Sequence, residues 1–252
     1  MKKTVFITGA TSGIGLATAE LFARNNYKLI ICGRRAERLK AFKDRYGSGP
    51  DIHTLIFDIR NKADVFAQIN SLPQEFQSVD VLINNAGNAH GLSPIHEGDT
   101  DDWEAMLDIN VKGLLYVTKA ILPAMVHRKS GHIINIGSVA GKEAYAKGNV
   151  YCASKFAVDA LSAGMRLDLN ELGIKVSEVN PGAVNTEFSS VRFKGDQQKA
   201  DMVYEGFEPL IAEDIADIIY FVATRPAHVN IADLLVFPSA QASATTINRS
   251  RD

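Results

Sequence analysis

Short runs of β-branched and aliphatic residues alternate along the chain with longer stretches whose apolar residues recur at helical spacing. This alternation predicts βαβ units and a mostly parallel sheet covered by helices on both faces. Strands are predicted at 3–8, 28–33, 52–57, 79–84, 132–137, 174–179 and 234–237. Helices are predicted at 13–25, 36–46, 62–71, 101–126, 149–172 and 213–223. The pattern therefore predicts an α/β fold with a doubly wound, seven-stranded sheet.

Three stretches interrupt this regular pattern. Pro123 lies late in the predicted helix 101–126, where the missing backbone donor predicts a kink or an end. Residues 181–208 have mixed charge and no clean period, which is typical of a functional lid or a disordered loop. The polar tail 241–252 is expected to fray or to reach a neighbouring subunit.

The amino-acid composition excludes several classes of protein. The 252 residues are 46% hydrophobic and 22% charged, which predicts one globular domain over 1–252. A formal charge of −2 gives no field that would recruit nucleic acid or an anionic membrane, and no uncharged apolar run reaches the length of a membrane span. Two cysteines, Cys32 and Cys152, are too few for a disulfide framework or a zinc site. We therefore expect no metal, no nucleic-acid or membrane partner, and a cytoplasmic location.

The turn after the first predicted strand reads TGATSGIG over residues 8–15 and opens the first predicted helix. Its glycines do not have the GxGxxG spacing of most dinucleotide folds. Glycines nevertheless let a backbone approach a pyrophosphate, which then lies against free N–H groups at a helix N-terminus. The candidate cofactor-binding residues of this loop are Gly9, Thr11, Ser12, Gly13, Ile14 and Gly15. A tight strand-to-helix turn without a ligand is the alternative.

The ends of the next two strands suggest which nucleotide binds. Arg34 and Arg35 follow Gly33 where a cofactor ribose is expected, and two guanidinium groups suit the 2′-phosphate of NADP better than the 2′-hydroxyl of NAD. A solvated arginine pair is the alternative, although positive charge in the first turn of a helix opposes the helix dipole. Asp58 and Ile59 are placed to bracket the adenine, and Asp58 as a helix N-cap is nearly as good an interpretation.

A phenol and an ammonium group form the candidate catalytic pair. Tyr151 and Lys155 are four residues apart on a predicted helix and therefore share a face. Ser138 ends the strand before that helix, at the same carboxyl edge of the sheet. A cation about 4 Å from a phenol, at an effective dielectric near 20, supplies the roughly 4 kcal/mol needed to ionise tyrosine at neutral pH. Lys155, helped by the positive nicotinamide of the oxidised cofactor, is thus sufficient to make Tyr151 a usable base.

Together these residues resemble the short-chain dehydrogenase/reductase family over essentially the whole chain, which implies a Rossmann-type fold. The 8–15 loop resembles its TGxxxGxG element and residues 84–87 its NNAG element. Asn110, Ser138, Tyr151 and Lys155 resemble its catalytic tetrad, and 181–182 with Thr186 resemble the segment that closes over the nicotinamide. The further cofactor-binding residues that this resemblance implies are Asn85, Ala86, Gly87, Tyr151, Lys155, Pro181, Gly182, Val184 and Thr186.

The resemblance also implies roles and an assembly. Tyr151 would exchange the proton, Ser138 would bond the substrate oxygen, and Asn110 would hold a water that links Lys155 to solvent. Taken singly, Ser138 is best interpreted as a residue that caps the following helix, and Asn110 as a residue of a turn or bulge. A homotetramer that uses the helices 101–126 and 149–172 is also implied.

The substrate is argued from residues 189–196, which place Arg192 and Lys194 where the nicotinamide is expected to be covered. A guanidinium there suits a carboxylate or sulfonate, whereas a surface charge run is the alternative. The chain resembles the NADP-dependent 3-hydroxy acid dehydrogenases of the family at residues 148–151, 186–188, 191–196 and 226–231. Those enzymes oxidise serine, allo-threonine and related acids and reduce malonic semialdehyde. It departs from them at residues 141–144, where Lys142 and Glu143 read best as solvated loop charges.

The leading hypothesis is therefore an NADP-dependent oxidoreductase for a small 3-hydroxy acid or its semialdehyde, with Arg192 selecting the anion. Sulfoacetaldehyde, another small anionic aldehyde, is an alternative substrate. A neutral aldehyde or ketone, with Arg192 and Lys194 merely on the surface, is a further alternative. A non-catalytic NADP sensor on the same fold is a remote one, because Ser138, Tyr151 and Lys155 are all present.

Overall fold

A computed structural model describes residues 2–47 and 51–249. Its seven strands form one sheet, in the order β3-β2-β1-β4-β5-β6-β7, and every neighbouring pair is parallel. The strands are β1 (Thr4–Thr8), β2 (Lys28–Gly33), β3 (Ile52–Ile56), β4 (Val81–Asn84), β5 (Gly131–Ile136), β6 (Ile174–Pro181) and β7 (Asp233–Val236). The predicted α/β doubly wound sheet is confirmed, and it is wholly rather than mostly parallel.

The helices cover both faces of this sheet. In the described residues they are α1 (Gly13–Arg24), α2 (Ala36–Tyr46), α3 (Lys62–Asn70), α4 (Thr100–Leu107), α5 (Leu114–Arg128), α6 (Asn149–Leu169), α7 (Glu187–Arg192), α8 (Gln197–Met202) and α9 (Ala212–Ala223). Successive residues of a strand point to opposite faces, so Val5 and Ile7 pack with α1, α2 and α9, whereas Phe6 packs with α3 and α5. Both faces are buried, which explains the continuous apolar strands.

The predicted helix 101–126 consists of α4, a π-helical turn at Asp108–Gly113, and α5. Pro123 does not end it, because α5 continues to Arg128. A proline inside a helix leaves the carbonyl four residues earlier without its donor, here that of Lys119. Both Pro123 and Lys119 are exposed, so water satisfies that carbonyl at little cost.

One continuous helical stretch, Thr100–Arg128, is long and apolar enough by length and composition alone to cross a membrane. It belongs to the interior of this fold, since Val117, Ile121 and Met125 are buried against the sheet. The length and hydropathy of this stretch are therefore explained by its packing as a core helix.

Two segments that the sequence left irregular are ordered. The stretch 181–208 contains the short helices α7 and α8. In the tail, Gln241 is buried, its Oε1 atom accepts the Ala183 N–H at 2.8 Å, and an antiparallel bridge joins it to Ile247. The tail through Arg249 thus folds onto its own chain instead of fraying; residues 250–252 lie outside the described residues.

Candidate active site

The strand order reverses between β1 and β4, and a crevice opens there beyond the carboxyl ends of the strands. It holds a cavity of about 560 Å³. The predicted site residues that line it are Gly9, Thr11, Ser12, Gly13, Ile14, Arg34, Arg35, Asp58, Ile59, Asn85, Ala86, Gly87, Ser138, Tyr151, Lys155, Pro181, Gly182, Val184, Thr186 and Arg192. Gly15 and Asn110 lie behind the residues that line the cavity.

The glycine loop has the backbone that its sequence suggests. Gly9 and Gly13 have φ values of +66° and +52°, the left-handed region that favours glycine. Gly15 allows a close approach, because an ideal Cβ atom there would lie 2.3 Å from the Asn85 amide nitrogen and 2.4 Å from the Gly9 oxygen. That amide donates to the Thr8 oxygen at 2.9 Å, which ties β4 to the loop.

The N-terminus of α1 faces the same cavity. Its N-cap residue, Ser12, makes no capping hydrogen bond, so the first backbone N–H groups of the helix remain open to a ligand. Free N–H groups and the positive end of the helix dipole suit a phosphate. The loop therefore fits the pyrophosphate of a dinucleotide.

Two guanidinium groups form the wall beyond this loop. Arg35 donates to the Thr11 hydroxyl at 2.9 and 3.0 Å and to the Ser12 hydroxyl at 2.7 Å. It also pairs with Glu187 of α7 at 2.7 Å, as does Arg38 at 2.6 Å. Arg34 is more exposed, and its nearest carboxylate, that of Asp58, is 3.6 Å away. The donors required by a 2′-phosphate are thus present on the chain.

Asp58 and Ile59 line the cavity after β3 as expected, and the alternative role of Asp58 as an N-cap is wrong. The N-cap of α3 is Asn61, whose side chain accepts from the Ala63 and Asp64 N–H groups. Asp58 instead accepts from Arg60, at 2.7 Å for the shortest contact. Burial raises the pKa of Asp58, but the hydrogen bonds from Arg60 and the positive charges of Arg60 and Arg34 together outweigh it and leave that pKa below its usual value.

Ser138, Tyr151 and Lys155 come together at the end of β5. The Ser138 hydroxyl accepts the Ala140 N–H at 3.1 Å, and the Ser138 N–H donates to Asn180 of β6 at 3.0 Å. The Lys155 ammonium, one turn after Tyr151 on α6, donates to the Ile136 carbonyl at 2.9 Å. Ser138 is therefore both a cap and a member of the cavity wall.

Burial dominates the electrostatics of this trio. It raises the pKa of Tyr151, while a hydrogen bond with Ser138 and the positive charge of Arg192 act in the opposite direction. Burial also lowers the pKa of Lys155 to about 8. The Lys155 ammonium is directed to the Ile136 carbonyl, and its expected effect on the ionisation of Tyr151 stays a prediction.

Asn110 occupies the π-helical turn between α4 and α5 and is buried. Its side chain accepts the Asn88 N–H and donates to the Asn88 oxygen, both at 2.9 Å, and donates to Ser154 at 3.0 Å. Single π-turns inside helices are frequent at functional sites. An ideal Cβ atom on Gly87 would lie 2.8 Å from Asn110 Oδ1 and 3.7 Å from Lys155 Nζ, so Gly87 keeps the space between them open.

The segment after β6 closes the crevice from above. The Gly182 N–H donates to the Val236 oxygen at 2.8 Å, Val184 forms a bridge with Leu210, and Thr186 caps α7. An ideal Cβ atom on Gly13 would lie 3.3 Å from the Thr186 side chain. The glycine loop and this segment therefore lie in contact.

Arg192, at the end of α7, points into the cavity beside Tyr151. Its guanidinium lies 5.5 Å from the centroid of the Tyr151 ring and 5.7 Å from that of Tyr145. It donates to the Gly91 oxygen at 3.2 Å and to the Tyr145 hydroxyl at 3.0 Å. Its Nη2 atom is buried without a hydrogen-bond partner. Lys194, in contrast, pairs with Asp102 at 3.0 Å on a more exposed surface.

Four residues beside the site had no role assigned from the sequence. Arg38 had a local signal, since it lies one helical turn after Arg34 and Arg35, and it meets Glu187 of α7. Phe188 packs against Tyr151 with ring centroids 5.7 Å apart, and Tyr145 holds Arg192. Glu187 and Phe188 belong to the stretch 186–188 that resembles the 3-hydroxy acid dehydrogenases, but that resemblance gave them no role. Tyr145 carries no recognisable motif, because its contact with Arg192 is distant in sequence.

Lys142 is not the solvated loop charge that the sequence favoured. Its side chain is 23% exposed, and its ammonium lies 2.5 Å from both Asp159 of α6 and Asp233 of β7. Asp233 also accepts from Asn180, the residue that holds the Ser138 N–H. Glu143 is exposed, as expected, and accepts the Ala244 N–H at 3.0 Å, which anchors the tail.

Comparisons with known proteins agree with this geometry. The family model described as short chain dehydrogenase matches residues 3–197. An NADP-dependent 3-hydroxy acid dehydrogenase of Salmonella typhi is 48% identical, with 98% of this chain and 99% of that protein covered. Sulfoacetaldehyde reductase 2 of Chromohalobacter salexigens is 43% identical, with 99% and 100% covered.

A solved structure is similar over the same length. The closed form of a serine dehydrogenase complexed with NADP+ superimposes with a TM-score of 0.93 at 44% identity, covering 99% of this chain and 100% of that one. The family match spans most of the chain, and the relatives are 43% and 48% identical over nearly all of it. The chain therefore belongs to the short-chain dehydrogenase family.

Proposed function

We propose that this protein is an NADP-dependent oxidoreductase that transfers a hydride between the nicotinamide and a small 3-hydroxy acid or its semialdehyde. The observation that supports an anionic substrate is Arg192, which lines the main cavity beside Tyr151 and whose buried Nη2 atom has no hydrogen-bond partner. A buried donor without a partner is costly, so a ligand oxygen at this position is favoured.

The cofactor is held by groups already present on the chain. The N–H groups at the start of α1 bind the pyrophosphate, and Arg34 and Arg35 bind the 2′-phosphate. Asp58 and Ile59 bracket the adenine, and the segments 85–87 and 181–186 enclose the nicotinamide end. NADP, when bound, supplies or accepts the hydride. The names of the NADP-dependent relatives support this assignment.

The proton is handled by the residues at the end of β5 and on α6. Tyr151 takes the hydroxyl proton in the oxidising direction and returns it in the reducing direction. Ser138 bonds the substrate oxygen and fixes its distance from Tyr151. Lys155 supplies positive charge that eases ionisation of the phenol, and Asn110, with Gly87 beside it, leaves room for a water next to Lys155.

Arg192 then selects the substrate by its charge. A guanidinium binds a carboxylate or sulfonate through short, charge-assisted bonds. The relatives named for 3-hydroxy acids and for sulfoacetaldehyde both act on small molecules with an anion near the reacting carbon, which supports this role. Sulfoacetaldehyde remains the alternative substrate, and a neutral aldehyde or ketone is the further one.

The assembly and the location are part of the same proposal. Leu107, Leu115, Phe156 and Leu167 are exposed on α4, α5 and α6, with Leu167 at 81%, and an apolar surface on these helices supports a homotetramer. Segment 181–208 covers the substrate. Cys32 and Cys152 are both free and buried, which suits a reducing compartment such as the cytoplasm.

The test is a substrate panel with NADP and NAD in parallel, followed at the reduced-nicotinamide band. The acids are serine, allo-threonine, 3-hydroxypropionate, 3-hydroxyisobutyrate and isethionate, with neutral alcohols beside them; malonic semialdehyde and sulfoacetaldehyde are run in the reducing direction. We expect turnover of the anions with NADP. Comparable turnover of the neutral compounds, or a preference for NAD, would contradict the proposal.

Arg192→Leu separates the anion site from the rest of the chemistry. Loss of a hydrogen bond to a charged group predicts an increase in KM for the acid of about 10- to 100-fold. A neutral alcohol should lose far less. Arg45→Leu is the matched control, because Arg45 is exposed on α2 and pairs with Glu20. Equal losses for charged and neutral substrates would exclude anion selection by Arg192.

A further inference from the structure

β6 carries a buried carboxyl group that the proposed chemistry does not use. Glu178 is 1% exposed, and an ideal Cβ atom on Gly137 would lie 2.3 Å from its Oε1 atom. Gly137 directly follows Ile136, whose carbonyl accepts the Lys155 ammonium. The carboxyl group and the ammonium therefore approach the same short piece of backbone, at the end of β5.

Charged groups from three elements surround Glu178. Lys142, in the turn after β5, contacts Asp159 of α6 and Asp233 of β7. Asp159 is four residues after Lys155, on the same face of α6. Within 2–47 and 51–249, no group of three or more His, Cys, Asp or Glu side chains is arranged to hold a metal ion. The cation that acts on Glu178 is Lys142.

The single ammonium of Lys142 cannot neutralise three carboxylates, so the cluster favours a proton on one of them. Glu178 is the most buried of the three, its Oε1 atom has no hydrogen-bond partner, and the carboxyl group of Asp159 acts on it. A second carboxyl group nearby disfavours the charged form of the first. Burial raises the pKa of Glu178 to about 7, although Lys142 acts against it. Glu178 therefore changes its charge near neutral pH.

Glu178 acts on Lys155 when it ionises. Burial lowers the pKa of Lys155 to about 8, and the negative charge of Glu178 works in the opposite direction. We propose that Glu178 is a positioning residue that keeps the Lys155 ammonium charged and held against the Ile136 carbonyl. It touches neither substrate nor cofactor and reaches Tyr151 only through Lys155. The effect of Glu178 on catalysis rests on the proposed function of Lys155, whereas the electrostatic coupling between the Glu178 and Lys155 side chains does not.

The test is a pH titration of the apoprotein by NMR, with lysine labelled with ¹³C at Cε and the Lys155 signal assigned from a Lys155→Arg sample. In the wild type we expect two inflections, one near pH 7 from Glu178 and one near pH 8 from Lys155 itself. In Glu178→Gln the first inflection should vanish. The Lys155 pKa should fall by about one unit, the effect of a unit charge roughly 10 Å away at an effective dielectric near 20.

Two variants control this experiment. Glu178→Asp keeps the carboxyl group and should restore most of the Lys155 pKa. Glu171→Gln removes an equal charge from the turn before β6, at the opposite end of that strand, and should leave Lys155 unchanged. The same Lys155 titration curve in the wild type and in Glu178→Gln would overturn the proposal. If Glu178→Gln does not fold, a wild-type curve without the inflection near pH 7 overturns it equally.

Kinetics of the cofactor-loaded enzyme give a second measurement. With less charge on Lys155, kcat of Glu178→Gln should decline at a lower alkaline pH than kcat of the wild type, while KM stays nearly constant. An unchanged kcat profile together with an unchanged Lys155 titration contradicts the positioning role. The titration needs neither substrate nor cofactor, so a wrong substrate assignment leaves its result valid.

Discussion

The arginines that flank the glycine loop differ in how firmly the chain holds them. Arg35 has three hydrogen bonds to Thr11 and Ser12 and an ion pair with Glu187. Arg34 has only a long contact with Asp58, at 3.6 Å. A side chain whose position is already fixed loses less entropy when an anion binds. Arg35 is therefore the better organised half of the proposed 2′-phosphate site.

Arg35→Ala should reduce the preference for NADP over NAD. Loss of charge-assisted bonds to the 2′-phosphate predicts a KM for NADP about 10- to 100-fold higher. The KM for NAD, which lacks that phosphate, should change much less. The measurement is kcat/KM with each cofactor, and Arg45→Ala serves as the exposed control on the same helix. If kcat/KM fell by the same factor with NADP and with NAD, Arg35 would stabilise the glycine loop and would not recognise the 2′-phosphate.

Residues with a motif were predictable from the sequence, whereas residues without one were not. Gly9 and Ser138 follow the ends of β1 and β5 closely in the chain, and Tyr151 lies on α6 one helical turn before Lys155, as their motifs indicate. Tyr145 meets Arg192 across 47 residues of sequence, and Glu187 meets Arg35 across 152. Such contacts depend on how loops fold over the sheet edge, which no local spacing encodes.

At the scale of elements, buried side-chain amides join the central strands to the helices. Asn84 of β4 donates to Asn135 of β5 and to Thr118 of α5, each at 2.9 Å. Asn135 in turn donates to Ser162 of α6 at 2.9 Å. All four side chains are buried. The network therefore fixes α5 and α6, the helices beside the candidate site, against the sheet.

Asn135→Leu should destabilise the protein by about 2–4 kcal/mol, because the buried amide of Asn84 and the hydroxyl of Ser162 each lose a partner. The measurement is urea unfolding at fixed protein concentration. Asn25→Leu is a control, since Asn25 is exposed at the end of α1 and its side chain makes one hydrogen bond, to Leu21. Similar losses of stability in the two variants would show that the buried network contributes no more to stability than the side chain of an exposed asparagine.

The elements themselves were largely predictable, because strands buried on both faces read as apolar runs. The exceptions have physical causes. The π-turn at Asp108–Gly113 leaves the apolar periodicity of the helix almost unchanged, so the sequence predicted one continuous helix. The tail looked unstructured because it is polar, yet Gln241 satisfies its amide internally, with Ala183 and Ser243. Hydrogen bonding, unlike burial of apolar side chains, leaves no period in a sequence.

For the whole molecule, two buried groups give the stability opposing dependences on pH. His132 of β5 contacts the Ser177 hydroxyl at 2.7 Å, and burial lowers its pKa to about 3. Its unfolded form therefore binds more protons between about pH 3 and 6.5, so this group makes the protein less stable as pH falls. Glu178 has its pKa raised to about 7, so its folded form binds more protons above about pH 4.5. Its contribution is lost as pH rises toward 7.

Between about pH 4.5 and 6.5 the two slopes oppose one another, and single variants should separate them. One proton corresponds to about 1.4 kcal/mol per pH unit. With increasing pH, wild type should gain stability relative to His132→Gln, and should lose stability relative to Glu178→Gln, by up to that amount per unit. The measurement is urea unfolding at several pH values and fixed protein concentration. Parallel curves for wild type and His132→Gln would mean that His132 titrates equally in both states; parallel curves for Glu178→Gln would mean the same for the carboxyl group.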